Sequence, residues 1–459
     1  KHHWIVFRFS DFNLGVRPLI SNIRRVFKLD FDVLTTLFNR LWGVVSGFFS
    51  LILIPLFLSS TEQGYYYTFA SLMGISVLFE LGLNSLIAQT MSRDIVHLEQ
   101  QGGRLVGQKK LVDNVQSLIF FAKRWYLKVA ISFGVIVIII GAFVLNSHQV
   151  LSASYWAPVW VALVVLTATN LFLSPRLALH EGMGFVGKVA LLRLKTGIVG
   201  SLLLWILLLS GYGLWAVIAF PSASVLITLG WLNKNGETFR WIESRDELFL
   251  NKKLGRDLLS VQFRLAVSWI CGYIIYNLFV PLTFMEHGAV EAGQLGMSLA
   301  IFQSLGFIGM SWCNAKVPKF AGYVSQKDRI GLNSEFSKVF SISIAITIAM
   351  CFGVLGLAAY ATSIGMDLMS RISPLQILAL IALVTVVNNV IFLLATYLRA
   401  HLEEPMLNNS VISAFLVAAS CFFGLAYGVE TMIFSYFLVM LCISLPWTIK
   451  IFLGYYRRQ

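Results

Sequence analysis

Residues 374–397 read PLQILALIALVTVVNNVIFLLATY, twenty-four consecutive positions without a charged side chain. A hydrocarbon core about 30 Å thick is crossed by roughly 20 helical residues, so this stretch predicts a membrane-spanning helix. Eleven further apolar stretches predict spans at about 33–58, 66–91, 127–145, 153–174, 188–210, 212–232, 258–282, 290–313, 337–361, 407–427 and 430–454. The sequence therefore predicts an all-α integral membrane protein with about twelve transmembrane helices.

The basic residues lie almost entirely on one side of these spans. When the N-terminus is placed in the cytoplasm, 34 of the 35 Lys and Arg residues fall on the cytoplasmic side, and Arg371 alone falls outside. The excess of basic residues in cytoplasmic loops predicts that both termini are cytoplasmic. The net charge of +13 thus reports membrane orientation and does not indicate a nucleic-acid partner.

The connections between spans are too short to hold a soluble catalytic or nucleotide-binding domain. Residues 182–188, GMGFVGK, match the first seven positions of a P-loop. Val189 stands where a hydroxyl must bind magnesium, and a span rather than a strand precedes the motif, so we interpret it as a turn. Neither an ATP-driven pump nor a hydrolase is supported, and we expect a protein that is not an enzyme and has no cofactor.

A shift of 224 residues superposes three short segments of the first half on three of the second. These are FNRL (38–41) on QFRL (262–265), EQG (62–64) on EHG (286–288), and ELG (80–82) on SLG (304–306). This indicates a six-span unit used twice in the same orientation, as in parallel-repeat transporters. We predict two pseudo-symmetric six-helix lobes around a central cavity, at 33–232 and 258–454. An interfacial N-terminal segment (1–32), a cytoplasmic linker (233–257) and a cytoplasmic tail (455–459) complete the predicted domains.

Charged residues inside spans are candidates for function, because an ionised side chain at the bilayer centre costs about 3 kcal/mol or more unless it is paired or hydrated. Glu80 lies near the middle of span 2, and Ser76, Glu80 and Asn84 predict one polar helix face. Glu80 could bind a coupling ion or pair with an arginine. Arg40 and Arg264 occupy matching positions under the 224-residue shift, which suggests a paired cationic site for a diphosphate.

Further polar residues lie in or beside spans. Helix-to-helix hydrogen bonding explains the amides as well as substrate binding does, and the basic residues are also typical interfacial anchors. The remaining cationic candidates are Arg193, Lys316 and Arg399, and the polar cavity candidates are Asn39, Asn84, Gln303, Asn314, Asn388 and Asn389.

Several segments resemble bacterial polysaccharide transporters. These are LSSTEQGYYY at 58–67, FELGL at 79–83, ALHEGMGFVGK at 178–188 and SGYGLW at 210–215. The chain resembles the Wzx-type O-antigen flippases, within the superfamily that also holds multidrug and toxic-compound extrusion pumps and lipid II flippases. Many relatives have Asp where Glu80 stands, and the second repeat has Ser304 there.

The resemblance implies a transporter of the bacterial inner membrane that moves an undecaprenyl-diphosphate-linked oligosaccharide to the outer leaflet by alternating access. It also implies coupling to a proton or sodium gradient, contact with membrane lipids, and partners among the polysaccharide polymerase and chain-length machinery. Three alternatives stay open: an extrusion pump on the same scaffold, a lipid II flippase, and a membrane glycosyltransferase or polymerase. The few intramembrane acids disfavour the pump, the twelve spans disfavour the lipid II flippase, and the short external loops disfavour the enzyme.

Replacing both Arg40 and Arg264 with Ala is expected to abolish transport while leaving folding and membrane insertion intact, because the paired cationic site would be lost. Transport by reconstituted protein, compared with membrane yield, measures this. Wild-type transport in the double variant would refute the paired site.

Overall fold

The protein is an all-α membrane protein, as predicted. The computed structural model describes residues 31–80, 82–101, 104–148, 150–235, 267, 269–401 and 405–458. Within these residues, eleven helices are long and apolar enough to cross a membrane, and one bent helix pair raises the number of spans to twelve. Each of the twelve predicted spans therefore overlaps a helix within the described residues.

The described residues of the first half form eight helices, of which α2, α3 and α4 together correspond to span 2. Their bounds are α1 Phe31–Phe57, α2 Ser60–Met73, α3 Ser76–Glu80, α4 Leu83–Ile95, α5 Lys109–Leu145, α6 Ala153–Gly182, α7 Val186–Leu209 and α8 Ala219–Asn235. A 3-10 helix, Gly213–Ile218, precedes α8. Residues 236–266 lie outside the described residues, and with them Arg264 and most of the predicted linker.

From residue 269 onwards the described residues form nine helices, of which α9 and α10 together correspond to span 7. Their bounds are α9 Trp269–Asn277, α10 Phe279–His287, α11 Ala289–Asn314, α12 Val317–Ser325, α13 Arg329–Ser363, α14 Leu375–Arg399, α15 Leu407–Leu425, α16 Val429–Val439 and α17 Leu445–Arg458. A 3-10 helix, Asp367–Arg371, precedes α14, and a π-helical turn, Met440–Ser444, joins α16 to α17.

The connection between spans 2 and 3 differs from the predicted loop at 92–126. Strands β1, Leu98–Gln101, and β2, Arg104–Gly107, pair in antiparallel register, with Leu98 opposite Gly107. Helix α5 begins at Lys109, well before the predicted start of its span at 127. Charged residues are excluded from the hydrocarbon core but not from helices, so a hydropathy boundary marks the membrane edge rather than the helix end.

Span 2 is broken twice. Ser59 begins α2 with a capping box, in which its hydroxyl accepts from the Glu62 backbone N–H and the Glu62 carboxylate accepts from the Ser59 N–H. The helix turns at Gly74, resumes as the short α3, and is interrupted again at Gly82, whose φ of 68° lies in the left-handed region that favours glycine. The predicted continuous stripe from Ser76 to Asn84 is therefore wrong as helix geometry.

Span 7 bends by 42° between α9 and α10. Pro281 has no N–H to donate to the carbonyl four residues earlier, that of Asn277, and α9 ends at that residue. The freed carbonyl accepts a hydrogen bond from the Ser71 hydroxyl of α2 at 2.6 Å. A proline in the second half is thus compensated by a side chain of the first half.

The two halves meet most extensively where α2 crosses α11. A Cβ atom on Gly64 would clash with the carbonyl oxygen of Ala289, and one on Gly293 would lie 2.8 Å from the Gly64 nitrogen. The two helix backbones therefore touch directly, which only glycine permits. We call this contact of Gly64 with Ala289 and Gly293 the glycine crossing.

Gln63 reinforces the glycine crossing. Its side chain is 1% exposed, and its Nε2 donates to the carbonyl oxygens of Gly293 at 3.1 Å and Arg371 at 2.8 Å. The segment around Arg371 is also held to α11, since Gln294 donates to the Ser370 carbonyl and Ser298 accepts from the Ser373 N–H, both at 2.9 Å. The start of α14 is thereby fixed to the same end of the molecule as the crossing.

The helix starts favour a different register for the predicted repeat from the 224-residue shift. Glu62 is the third residue of α2 and Glu291 is the third residue of α11, so aligning the two helix starts matches Glu62 with Glu291 rather than with Glu286. The same shift of 229 residues matches Gly64 with Gly293, the pair that meets at the glycine crossing. It places Arg40 opposite Trp269, which removes the argument that Arg40 and Arg264 are equivalent.

Gly64→Ala is expected to lower the melting temperature of the purified protein, because overpacking a tight contact costs about 1–3 kcal/mol. Gly134→Ala in α5 is the matched control, since a Cβ atom at Gly134 would have no neighbouring atom within 4 Å. A Gly64→Ala melting temperature equal to that of Gly134→Ala would contradict the close crossing.

Candidate functional site

A cavity of about 780 Å³ opens between α9, α11 and α14 of the second half. Gly74 and Val77 of span 2 contribute to its wall, so the first half takes part in it. Its volume lies within the roughly 300–1,000 Å³ that is typical of small-molecule sites. Arg399 is the only charged residue among the described residues that line it.

The cavity extends away from the glycine crossing. Helix α14 begins at the crossing end, near Arg371, and Arg399 is its last residue, at the opposite end. At a rise of 1.5 Å per residue, Asn388 lies about 16 Å from Arg399 along the helix axis. Asn388 stands eleven residues before the last residue of α14, and Gln303 stands eleven residues before the last residue of α11. The two amides therefore lie at a similar distance from the Arg399 end of the cavity.

Four predicted site residues line this cavity, namely Gln303, Asn388, Asn389 and Arg399. Asn388 donates to the Tyr436 hydroxyl at 2.9 Å, while the Oδ1 atoms of Asn388 and Asn389 are buried with no hydrogen-bond partner among the described residues. An unpaired buried acceptor costs about 1–3 kcal/mol. The wall therefore contains hydrogen-bonding capacity that the protein itself does not use.

Asn389 has a role in packing as well. It is 2% exposed, and its Nδ2 donates to the Thr347 hydroxyl, which in turn donates to the Ser343 carbonyl at 2.8 Å. Gly309 lets α11 approach this pair closely, since a Cβ atom there would meet both side chains. Asn389 thus joins α14 to α13, as the helix-bonding interpretation of the amides allows.

Glu80 and Asn84 lie in a polar cluster of the first half, outside the lining of the cavity. Asn84 donates to the Glu80 carboxylate, and to the Ser174 hydroxyl at 3.1 Å, and it accepts from the Tyr126 hydroxyl at 2.9 Å. The two residues meet although the helix between them is broken at Gly82. Glu80 also interacts electrostatically with Arg193 of α7.

Two basic candidates have acidic partners. Arg193 forms an ion pair with Glu181 at 2.8 Å, and Lys316 forms one with Glu335 at 3.1 Å. Neither lines the cavity. Their assignment to substrate binding stays a prediction, and the structure gives both a structural contact that the sequence did not reveal.

The remaining candidates are dispersed. Arg40 is exposed on α1, and Asn39 faces α7, where a Cβ atom on Gly197 would lie 3.8 Å from its Oδ1. Asn314 is exposed at the end of α11, and Arg264 lies outside the described residues. The predicted cluster of cations around one cavity is thus reduced, within the described residues, to Arg399.

Aromatic residues form much of the wall, and sequence reasoning missed them. Tyr276 and Phe392 stack with ring centroids 5.6 Å apart and an interplanar angle of 22°, and Trp269, Tyr273 and Tyr436 also line the cavity. In a chain with 36 Phe, 15 Tyr and 12 Trp, nothing in the spacing separates a cavity aromatic from one in the core.

The P-loop-like segment is a turn, as interpreted. Helix α6 ends at Gly182 and α7 begins at Val186, so a helix rather than a strand precedes the motif. The Lys188 ammonium lies over the Phe185 ring, 4.7 Å from its centroid. This segment has no part in the candidate site.

No protein-family model matches the sequence, and no curated protein matches it. Among solved structures, an inward-facing multidrug resistance MATE transporter of the MOP superfamily is similar, with a TM-score of 0.60 and 12% identity over 91% of this chain and 95% of that chain. The lipid II flippase MurJ, in an inward closed conformation, gives a TM-score of 0.58 and 14% identity over 92% of this chain and 89% of that one.

A MOP superfamily transporter from Pyrococcus furiosus, described as having a binding pocket of reverse polarity, gives a TM-score of 0.54 and 11% identity over 91% of this chain and 94% of that chain. The similarity to these proteins extends over nearly the whole length of each chain. The chain therefore has the fold of the multidrug/oligosaccharidyl-lipid/polysaccharide (MOP) transporters.

Proposed function

We propose that the protein is a flippase that moves an undecaprenyl-diphosphate-linked oligosaccharide from the inner to the outer leaflet of the bacterial inner membrane. The observation that carries the proposal is the charge of the cavity: its one charged lining residue within the described structure is an arginine. A guanidinium binds phosphate oxygens bidentately and stays charged when partly desolvated. The cavity thus suits an anionic head group.

The distribution of basic residues supports the orientation of the transporter. With both termini in the cytoplasm, the Arg399 end of the cavity faces the cytoplasm and the glycine crossing lies on the outer side. The described state would then be inward-facing, closed at the crossing and open where a substrate made in the cytoplasm arrives. Alternating access requires the crossing to separate and the Arg399 end to close.

The fold is consistent with transport of either a lipid-linked substrate or drugs, since the lipid II flippase MurJ and a multidrug resistance MATE transporter share it. A pump for cationic drugs needs a site that stabilises positive charge, and no carboxylate occurs among the described cavity-lining residues. Glu80, the acid nearest the middle of span 2, belongs to the polar cluster with Asn84 and Ser174 instead. The proposal includes two features that the resemblance implies. Flipping would be coupled to a proton or sodium gradient, and the polysaccharide polymerase and chain-length machinery would be partners.

Arg399→Ala is expected to slow flipping of a fluorescent undecaprenyl diphosphate in proteoliposomes about tenfold or more, because charge-assisted hydrogen bonds contribute about 1.5–3 kcal/mol. Dithionite quenching of the outer leaflet measures the rate. Arg399→Lys is expected to retain part of the activity, since the charge remains without the bidentate geometry.

Lys338→Ala is the control, because Lys338 is an exposed cation of α13 that does not line the cavity. Unchanged flipping in Arg399→Ala would contradict the proposed site. Saturable uptake of tetraphenylphosphonium, without flipping of the diphosphate lipid, would identify the extrusion pump instead.

A further inference from the structure

The deep part of the cavity differs chemically from its mouth. Arg399 lies at the end of α14, whereas Asn388 and Gln303 lie about 16 Å further in, as judged by helix rise. The described residues around these amides include aromatic rings but no charge. An anion and an uncharged polar group would thus be bound at different levels of one cavity.

The deep part offers both donors and acceptors. Gln303 is exposed to the cavity, so its amide can donate and accept. The Asn388 amide uses its Nδ2 on Tyr436 and leaves Oδ1 buried and unpartnered, and Asn389, which is 98% buried, also has an unpartnered Oδ1. Exchanging the amide nitrogen and oxygen of Asn388 would still leave one polar atom unpaired. A ligand with hydroxyl groups, which donate and accept, matches this set.

The aromatic rings favour the same class of ligand. Tyr276 and Phe392, which stack on each other, both line the cavity, and the face of an aromatic ring carries a partial negative charge that attracts the weakly positive C–H groups of a sugar ring. A cation would be attracted to the same faces. Arg399 at the mouth opposes the entry of a cation, however, and no described lining residue offers a carboxylate to hold one.

We infer that the deep part of this cavity is a carbohydrate-binding chamber, in which Asn388 and Gln303 bind the hydroxyl groups of the sugars nearest the diphosphate. This inference rests on the proposed function, since it places the diphosphate at Arg399. A volume of about 780 Å³ accommodates a short saccharide but excludes a polymer. The chamber makes Asn388 and Gln303 specificity-determining residues of the second lobe.

The order of groups along the ligand fits the order of groups in the cavity. In a lipid-linked saccharide the diphosphate stands between the hydrocarbon chain and the first sugar. With the diphosphate at Arg399, the sugars point towards Asn388, and the hydrocarbon chain lies on the side of the open mouth. The substrate would therefore enter sugar first, and the hydrocarbon chain would remain outside the chamber.

The inference is tested by native mass spectrometry of the full-length protein titrated with undecaprenyl diphosphate, either bare or carrying N-acetylglucosamine. Wild-type protein is expected to bind the sugar-bearing lipid at least tenfold more tightly than the bare lipid. Asn388→Leu and Gln303→Leu are each expected to bring the two affinities to within about twofold, while affinity for the bare lipid is retained.

Gln376→Leu is the matched control, because it removes an exposed amide of α14 that does not line the cavity, and it should keep the wild-type preference. If Asn388→Leu does not fold, Gln303→Leu still tests the chamber. Gln303 is exposed and does not join two helices as Asn389 does through Thr347, so its replacement should leave the fold intact.

Equal binding of both lipids by wild-type protein, or a preference that survives in both leucine variants, would overturn the chamber and leave the flippase proposal standing. Failure of wild-type protein to bind either lipid would overturn the proposed function, and the chamber with it. An affinity of Arg399→Ala for the bare lipid equal to that of wild-type protein would overturn the placement of the diphosphate at Arg399.

Discussion

The direct contact of two helix backbones at Gly64 and Gly293 determines how the halves of this protein are arranged. Apolar side chains gain little by packing against each other rather than against lipid, so helix association in a membrane depends on close van der Waals contact and on hydrogen bonds. The glycine crossing supplies the first and Gln63 the second, through the carbonyls of Gly293 and Arg371. The contact closes the end of the molecule where α11 and α14 begin, and the cavity beside these helices extends to the opposite end, at Arg399.

The spans could be predicted because the cost of exposing polar groups to hydrocarbon leaves a strong signal over about 20 residues. The predicted repeat rested instead on a few short sequence matches, and such matches recur by chance in so hydrophobic a chain, so they do not determine the register. The helix starts give a register that the sequence did not, because α2 and α11 each have a glutamate at their third position, Glu62 and Glu291. The β1–β2 hairpin and the early start of α5 lie beyond the apolar core, where hydropathy carries no information.

The candidate site was partly predictable. Gln303, Asn388, Asn389 and Arg399 stood out as polar residues within or at the end of apolar stretches, and all four line the cavity. The same reasoning selected Arg193 and Lys316, whose partners Glu181 and Glu335 are distant enough in sequence that no local pattern links them. The sequence could not identify the aromatic site residues Tyr276, Phe392 and Tyr436. An aromatic side chain in a membrane protein can face lipid, pack in the core or line a cavity, and the sequence pattern is the same in each case.

The hydrogen bond from Ser71 to the Asn277 carbonyl limits how the two halves can move. Pro281 denies that carbonyl its partner within the helix, and an unpaired carbonyl in hydrocarbon costs several kcal/mol. If α2 moved away from α9 at this level, water would have to reach the carbonyl in place of Ser71. The Tyr273 hydroxyl, which donates to the Ser71 carbonyl at 3.2 Å, would lose its partner as well. A rocking motion that keeps these bonds must pivot close to Ser71, so the rotation axis of the two halves would pass near this proline bend.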